Sequence, residues 1–412
     1  MKAGFAKCDI TPPKAMKMAG FDRRKDASTG TLDPLDVCVL AMEDGCGAPF
    51  LLCVFDLLGT DSALCTHMRE AITEKLQIPC DRIWVSATHT HSAPTGHFSG
   101  NQSYCEDYVS YLTTQAVSAA VTAVSNLQPV TAEKAMAEAT GVASLRNRGR
   151  EGSDFPMPLP LVFLEGGSKP LSLARICCHP TVLDEKNLLY SRDLPGQLRD
   201  GVQSRQDILI LNGPCADLST RFTRRASDAE ELKRLGQKLS DAVLSARPEP
   251  QPDFGANIRT AEKVVYLSRS ASLSGELRES ILTALREKAA ACTDVQALRE
   301  YDSRIAVLER TAVGAEKNRM IRIGAVNFGN HILVGVPFEV DYADGIDLEQ
   351  TLSQIAGTAV HLVCYSFGYD GYLPSGAPLS AESSYEDIAS RYLPESRAQV
   401  WECAKQCVMD VM

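Results

Sequence analysis

Three of the seven histidines fall within nine residues, at His89, His91 and His97, and the first two are spaced i, i+2 in the run RIWVSATHTHS that starts at Arg82. In an extended chain that spacing puts both imidazoles on one face. Two such rings bind one metal together, or one binds while the other hydrogen-bonds to substrate; a pair of polar residues at a strand end has the same pattern. His179 closes the apolar strand LSLARICC and precedes Pro180, which holds it extended with its ring aimed off the strand end, as the natural third nitrogen ligand. Glu339 occupies the equivalent place after HILVGVPF, and Tyr369 and Tyr372 follow AVHLVCY in the Gly-rich segment GYDGYLPSG. Asp217 and Ser219 follow the strand DILIL through the turn NGPCA, so a hydroxyl is offered at the same sheet edge. The chain has no GxSxG elbow, which argues against a conventional α/β-hydrolase triad.

The elements that must position these groups follow from the hydrophobic pattern. Residues 50–56 (FLLCVFD) form a buried strand, Leu64, Met68, Ile72 and Leu76 mark one face of a helix, and the strand from Arg82 completes a strand, crossover helix, parallel strand unit. Ligands gather beyond the carboxyl ends of such strands, where the THTH segment falls. A helix is expected over 105–126, strands near 161–165, 170–178 and 207–211, and a helix with Leu232, Leu235, Leu239 and Val243 on its apolar face, opened by a Ser227/Glu230 capping box. The charge-rich stretch 274–313 reads as two helices forming a hairpin or inserted subdomain. Strands at 320–328 and 331–337 flank a Gly329–Asn330 turn, a further strand covers 359–365, and a last helix starts near Pro394. The fold class is therefore α/β, with mixed β-sheets flanked by helices and the metal site at strand ends. No internal repeat is visible in the sequence.

Composition narrows the function further. The 412 residues are 44% hydrophobic and 23% charged, values of a folded globular protein. The 52 acidic against 42 basic residues leave a net charge of −10, the wrong sign for neutralising nucleic-acid phosphates. No stretch approaches a membrane span, and the N-terminus lacks an apolar run of signal-peptide length, so a cytoplasmic location is expected. The 14 cysteines are scattered without a CxxC, which reads as reduced core thiols.

Together these residues resemble the neutral, non-lysosomal ceramidases, zinc-dependent amidases that cleave N-acyl sphingosines. The resemblance runs nearly end to end. It takes in CDITPP and MAGF, LDPLDVCVLAMEDG followed by FDLLGT, SATHTHSAPTG, Asn147 and Arg148 in SLRNRG, CCHPT followed by SRDLPG, NGPCADLS, VPFE and GYDGYLP. It implies one ceramidase-like catalytic domain over residues 1–412, without the family's C-terminal immunoglobulin-like domain. The implied Zn2+ ligands are His89, His179, Glu339 and Tyr372. His91 maps onto an imidazole beside the reacting carbonyl, Arg148 onto a substrate-orienting arginine, Ser219 onto the catalytic serine and Tyr385 onto a further tyrosine lining the site, one residue farther from Tyr372 than in the family pattern.

The implied activity is zinc-assisted hydrolysis of an N-acyl amide, with water attacking directly or Ser219 forming an acyl intermediate. A catalytically silent metal-binding or ligand-binding protein and an esterase are the alternatives. Where the family has Gly-Asp-Val-Ser-Pro, this chain has Ala216, Asp217, Leu218, Ser219 and Thr220, followed by Arg221. Arg221, Arg224 and Arg225 either form a solvated run or meet an anionic group on a small, soluble substrate. With 6% aromatic residues and two Trp there is no evident stripe for taking ceramide from a bilayer. Asp217, Arg221 and Tyr385 are the expected substrate-binding residues.

Overall fold

The structure is a computed structural model and describes residues 1–99, 101–146, 155–268, 275–310 and 318–412. The parallel unit expected from the sequence is present: Phe50–Phe55 pairs with Ile83–Ala87 in parallel, and the helix Ser62–Leu76 crosses between them. Asp61 caps that helix by accepting the Leu64 N–H at 2.8 Å, and Gln77 ends it in the left-handed region at φ 58°.

The same construction occurs three times. In the first sheet Lys2–Asp9 pairs antiparallel with Asp36–Glu43, that strand pairs antiparallel with Phe50–Phe55, and the parallel Ile83–Ala87 follows the crossover helix. In the second, Thr131–Ala139, Met157–Glu165, Leu171–Ile176 and Asp207–Asn212 repeat that order and those directions, with the helix Asp193–Val202 crossing. In the third, Ile258–Leu267, Arg319–Phe328, His331–Gly335 and Ala359–Val363 repeat it again, with Tyr342–Ala356 crossing. After each fourth strand comes an outer helix: Glu106–Ser125, Ala229–Ser245 and Ser396–Val411. The sequence shows no repeat because strand order and direction recur while the residues do not.

Strand pleating divides the core accordingly. One face of each sheet, with Leu40, Leu52 and Trp84 from the first, Leu173, Leu209 and Leu211 from the second and Val326, Leu333 and Val363 from the third, packs into a common centre. The opposite faces are covered by the helices, as Val39, Cys53 and Val85 are by Leu64, Met68 and Ala116. The three fourth strands are laced together where they end. Asn212 donates from Nδ2 to the carbonyls of Thr88 at 3.2 Å and Cys178 at 3.3 Å, the Cys364 N–H donates to Asn212 O at 2.9 Å, and Ala87 N–H to Tyr365 O at 3.2 Å.

The stretch between the first two strands of each unit is the variable part. In the third unit it carries the helical hairpin, Gly275–Ala291 and Val295–Arg310, whose Leu282, Leu285 and Leu308 pack on Ile388; the outermost residues of the expected 274–313 insertion lie outside the described residues. The expected capping box is shifted by one. Asp228, extended at φ −137°, caps Ala229–Ser245 by accepting the Glu231 N–H at 2.9 Å, while Glu231 turns back to accept from Arg225 N. Among the described residues no helix is long and apolar enough to cross a membrane.

Candidate metal centre

Each unit delivers one part of the site from its strand ends. Beyond Ile83–Ala87 the chain turns at His89, a non-glycine residue at φ 69°, whose N–H donates to Leu57 O at 2.9 Å. Its Nδ1 lies 2.6 Å from Leu58 O, and Tyr365 stacks on the ring at 4.0 Å. Beyond Leu171–Ile176, His179 donates its N–H to Leu218 O at 3.0 Å, and its Nδ1 lies 2.7 Å from Cys215 O. A carbonyl only accepts, so Nδ1 carries the proton in both rings and both Nε2 lone pairs point inward. They meet Glu339 from the third unit, whose Oε2 is 2.9 Å from His179 Nε2 and 3.5 Å from His89 Nε2.

Two lone-pair atoms that close to a carboxylate oxygen repel unless a cation or a proton lies between them. The donor set fits a divalent metal of zinc's kind, with imidazole nitrogens and a carboxylate at one point. The nitrogens of His89, His91 and His179 all lie within 4.8 Å of one another, with His91 Nε2 3.3 Å from His89 Nε2. Burial, followed by His89 and His179, holds His91 well below the ordinary imidazole range, so its ring is neutral at pH 7.

Glu339 is fixed by its neighbours in the GYDGYLP segment. Its N–H donates to Gly371 O and its carbonyl accepts from Leu373 N, both at 2.9 Å, which brings Tyr372 alongside. The two tyrosines divide the work. Tyr369 donates its hydroxyl to Glu339 Oε1 at 2.6 Å, while the Tyr372 hydroxyl meets the Arg146 guanidinium. Burial and Glu339 push both tyrosines well above the usual phenol range, so both stay protonated at neutral pH. Tyr385 packs edge-on against Tyr372, with ring centres 5.8 Å apart.

Ser219 bridges to His179 in parallel and pairs with Ser144 on its other side. Its Oγ accepts the Arg221 N–H at 3.3 Å. Asp217 sits beside it, but its carboxylate is turned to the Tyr342 N–H at 2.8 Å, where it holds the start of the crossover helix. Arg221 pairs with Glu300 of the helical hairpin at 3.6 Å. Arg148 lies outside the described residues. Arg146, which sequence reasoning passed over, pairs with Glu386 at 3.0 Å and reaches Tyr372. It follows a two-residue strand, Ser144–Leu145, too short to leave a hydrophobic signature.

His91 packs against the Phe21 ring and over Gly20, where a Cβ would come within 2.5 Å of the imidazole and φ is +101°. Gly20→Ala is therefore expected to displace His91 and lower kcat/KM by about 100-fold, as a misplacement near 1 Å does. Circular dichroism and zinc content, both unchanged, would separate this from unfolding.

His97 does not join the cluster. Its Nε2–H donates to Gly59 O at 2.7 Å and its Nδ1 is buried with no partner among the described residues. Burial pulls its pKa from the ordinary 6.5 to about 4, against the opposing pull of Gly59 and Asp61. The unfolded chain takes up this proton first, so the stability this neutral ring contributes is complete above pH 6.5 and lost as pH falls towards about 4. His97→Gln keeps a donor for Gly59 but cannot titrate. Urea unfolding across that window is expected to show a flatter pH dependence for the variant.

No protein-family model and no curated protein matches this chain. Solved structures do. Neutral ceramidase from Pseudomonas aeruginosa superposes with a TM-score of 0.77 at 17% identity, covering 99% of this chain and 74% of that one. A ceramidase complexed with C2 gives a TM-score of 0.77 at 16% identity over the same shares of the two chains. The chain has the neutral ceramidase fold.

Proposed function

We propose that this protein is a zinc-dependent hydrolase of N-acyl amide bonds, acting on a small soluble compound. The observation that carries the reading is the meeting of two Nε2 lone pairs, each set by an Nδ1–H bonded to a backbone carbonyl, on one oxygen of a buried carboxylate. His89, His179, Glu339 and Tyr372 would hold the metal. When bound, zinc supplies Lewis acidity and lowers the pKa of water towards neutrality.

The chain's own groups do the rest. His91, neutral and half-exposed, and the Tyr372 hydroxyl, held protonated, offer hydrogen bonds to the oxygen of the substrate carbonyl as charge develops on it. Tyr369 fixes the carboxylate through Oε1. Arg148 orients the substrate in this reading, while Tyr385, Asp217 and Arg221 line its approach. Among the described residues no carboxylate or imidazole accepts the Ser219 hydroxyl proton. That favours attack by water over an acyl-serine intermediate. Fourteen cysteines without a disulfide suit a reducing, cytoplasmic setting.

The test is a hydrolysis screen of N-acyl compounds with zinc-reconstituted protein, with the matched esters alongside. Amide turnover that stops on chelation and returns with zinc supports the proposal. Bound zinc with no turnover across the panel would assign the chain to metal or ligand binding instead.

A further inference from the structure

Around Ser219 the chain gathers arginines from separate segments. Arg221 lies two residues beyond Ser219, the residue that bridges to the ligand His179. Arg224, three residues farther on, donates from Nη1 to the carbonyl of Thr181, two residues beyond His179. Arg299 is supplied by the helical hairpin, next to the Glu300 that pairs with Arg221 at 3.6 Å. Arg146 stands on the opposite flank of Ser219, through its N–H to Asp217 O at 2.8 Å, with its charge directed at Glu386.

These guanidiniums oppose one another. Burial and then Arg146, Arg299 and Arg224 work against the charge on Arg221, and Glu300 supports it. Arg224 is turned to a neutral carbonyl, and among the described residues Arg299 has no carboxylate partner. Like charges held together beside a half-buried site are stabilised by an anion.

We infer, resting on the hydrolase reading above, that Arg221, Arg224 and Arg299 form an anion subsite beside Ser219, so that the substrate is an N-acyl compound bearing a carboxylate or phosphate. Glu300 is the internal stand-in for that anion. It holds Arg221 when the subsite is empty and is displaced when substrate enters, which couples the helical hairpin to binding.

Calorimetry on the zinc-loaded protein tests this with three probes: N-octanoylglycine, N-octanoyl-phosphoethanolamine and the neutral N-octanoylglycinamide. At least one anion is expected to bind about tenfold or more tightly than the neutral amide, the ratio of one charged hydrogen bond at a half-exposed site. Arg221→Gln should remove that preference and Glu300→Gln should widen it, two changes of opposite sign that a general loss of folding could not produce. The anion with the larger loss in Arg221→Gln identifies the headgroup class. Equal affinities for all three probes, no binding of any, or a preference unchanged in both variants would overturn the subsite. An intact anion preference with no amide cleavage supports the subsite and counts against the hydrolase reading alone.

Discussion

His179→Ala protein is expected to retain its fold, lose its zinc and hydrolyse no N-acyl compound above background. The side chain supplies one of two buried Nε2 atoms aimed at Glu339, and its Nδ1 is fastened to Cys215 O at 2.7 Å, which presets the direction of that lone pair. Loss of a group that merely orients a ligand costs about 10- to 100-fold in metal affinity, and loss of the ligand itself must cost more. His89→Ala should behave alike. Ser219→Ala should keep its zinc, since that hydroxyl faces the Arg221 N–H at 3.3 Å. Elemental analysis after gel filtration, with parallel rate measurements, checks all three; zinc retained at one per chain in His179→Ala would remove this residue from the ligand set.

The largest effect on stability is expected at Asp56, which is completely buried. Its carboxylate accepts two bonds from Arg199, at 2.9 and 3.2 Å, one from the Asp36 N–H at 3.0 Å and one from the Thr88 hydroxyl at 3.2 Å. Asp36 in turn takes Arg192 and Arg199, and Arg192 reaches on to Asp33. Asp56→Ala leaves the Arg199 guanidinium buried with half its partners and opens the support under Thr88, next to His89. A loss of about 3–5 kcal/mol is expected, as for other broken buried ion pairs. That is a large share of the stability of about 5–15 kcal/mol typical of a folded domain. Urea unfolding would register it as a lower midpoint at an unchanged slope.

Asp33, Asp36, Asp56 and Arg192 lie in LDPLDVCVL, FDLLGT and SRDLPG, segments that carried much of the sequence resemblance. In the folded protein they are the ionic floor beneath the THTH loop, and a linear motif shows that such residues belong together without showing how. The strands were legible where an apolar run had no rival reading, as in FLLCVF and DILIL. The ligand candidates were legible because strand ends in an α/β sheet are few and each carried an unusual residue. Arg146 and the division of labour between Tyr369 and Tyr372 were not, because both depend on two-residue ladders and single bridges set by tertiary packing. The threefold construction was hidden for the opposite reason. Leu40, Val162 and Val326 occupy matching inward-facing positions, but their first-strand partners Phe5, Lys134 and Thr260 have nothing in common.

That construction bears on how the chain reaches its working state. His89, His179 and Glu339 come one from each unit, and the last two are 160 residues apart in sequence. Each unit can close its own sheet through contacts local to it, whereas the lacing through Asn212 and the meeting of the ligands require all three to have docked. The centre is thus a keystone, fitted last, and its affinity for metal reports on the whole arch. A metal bound there would stabilise only chains that have completed assembly, so the cation would act as a selector for correctly docked molecules.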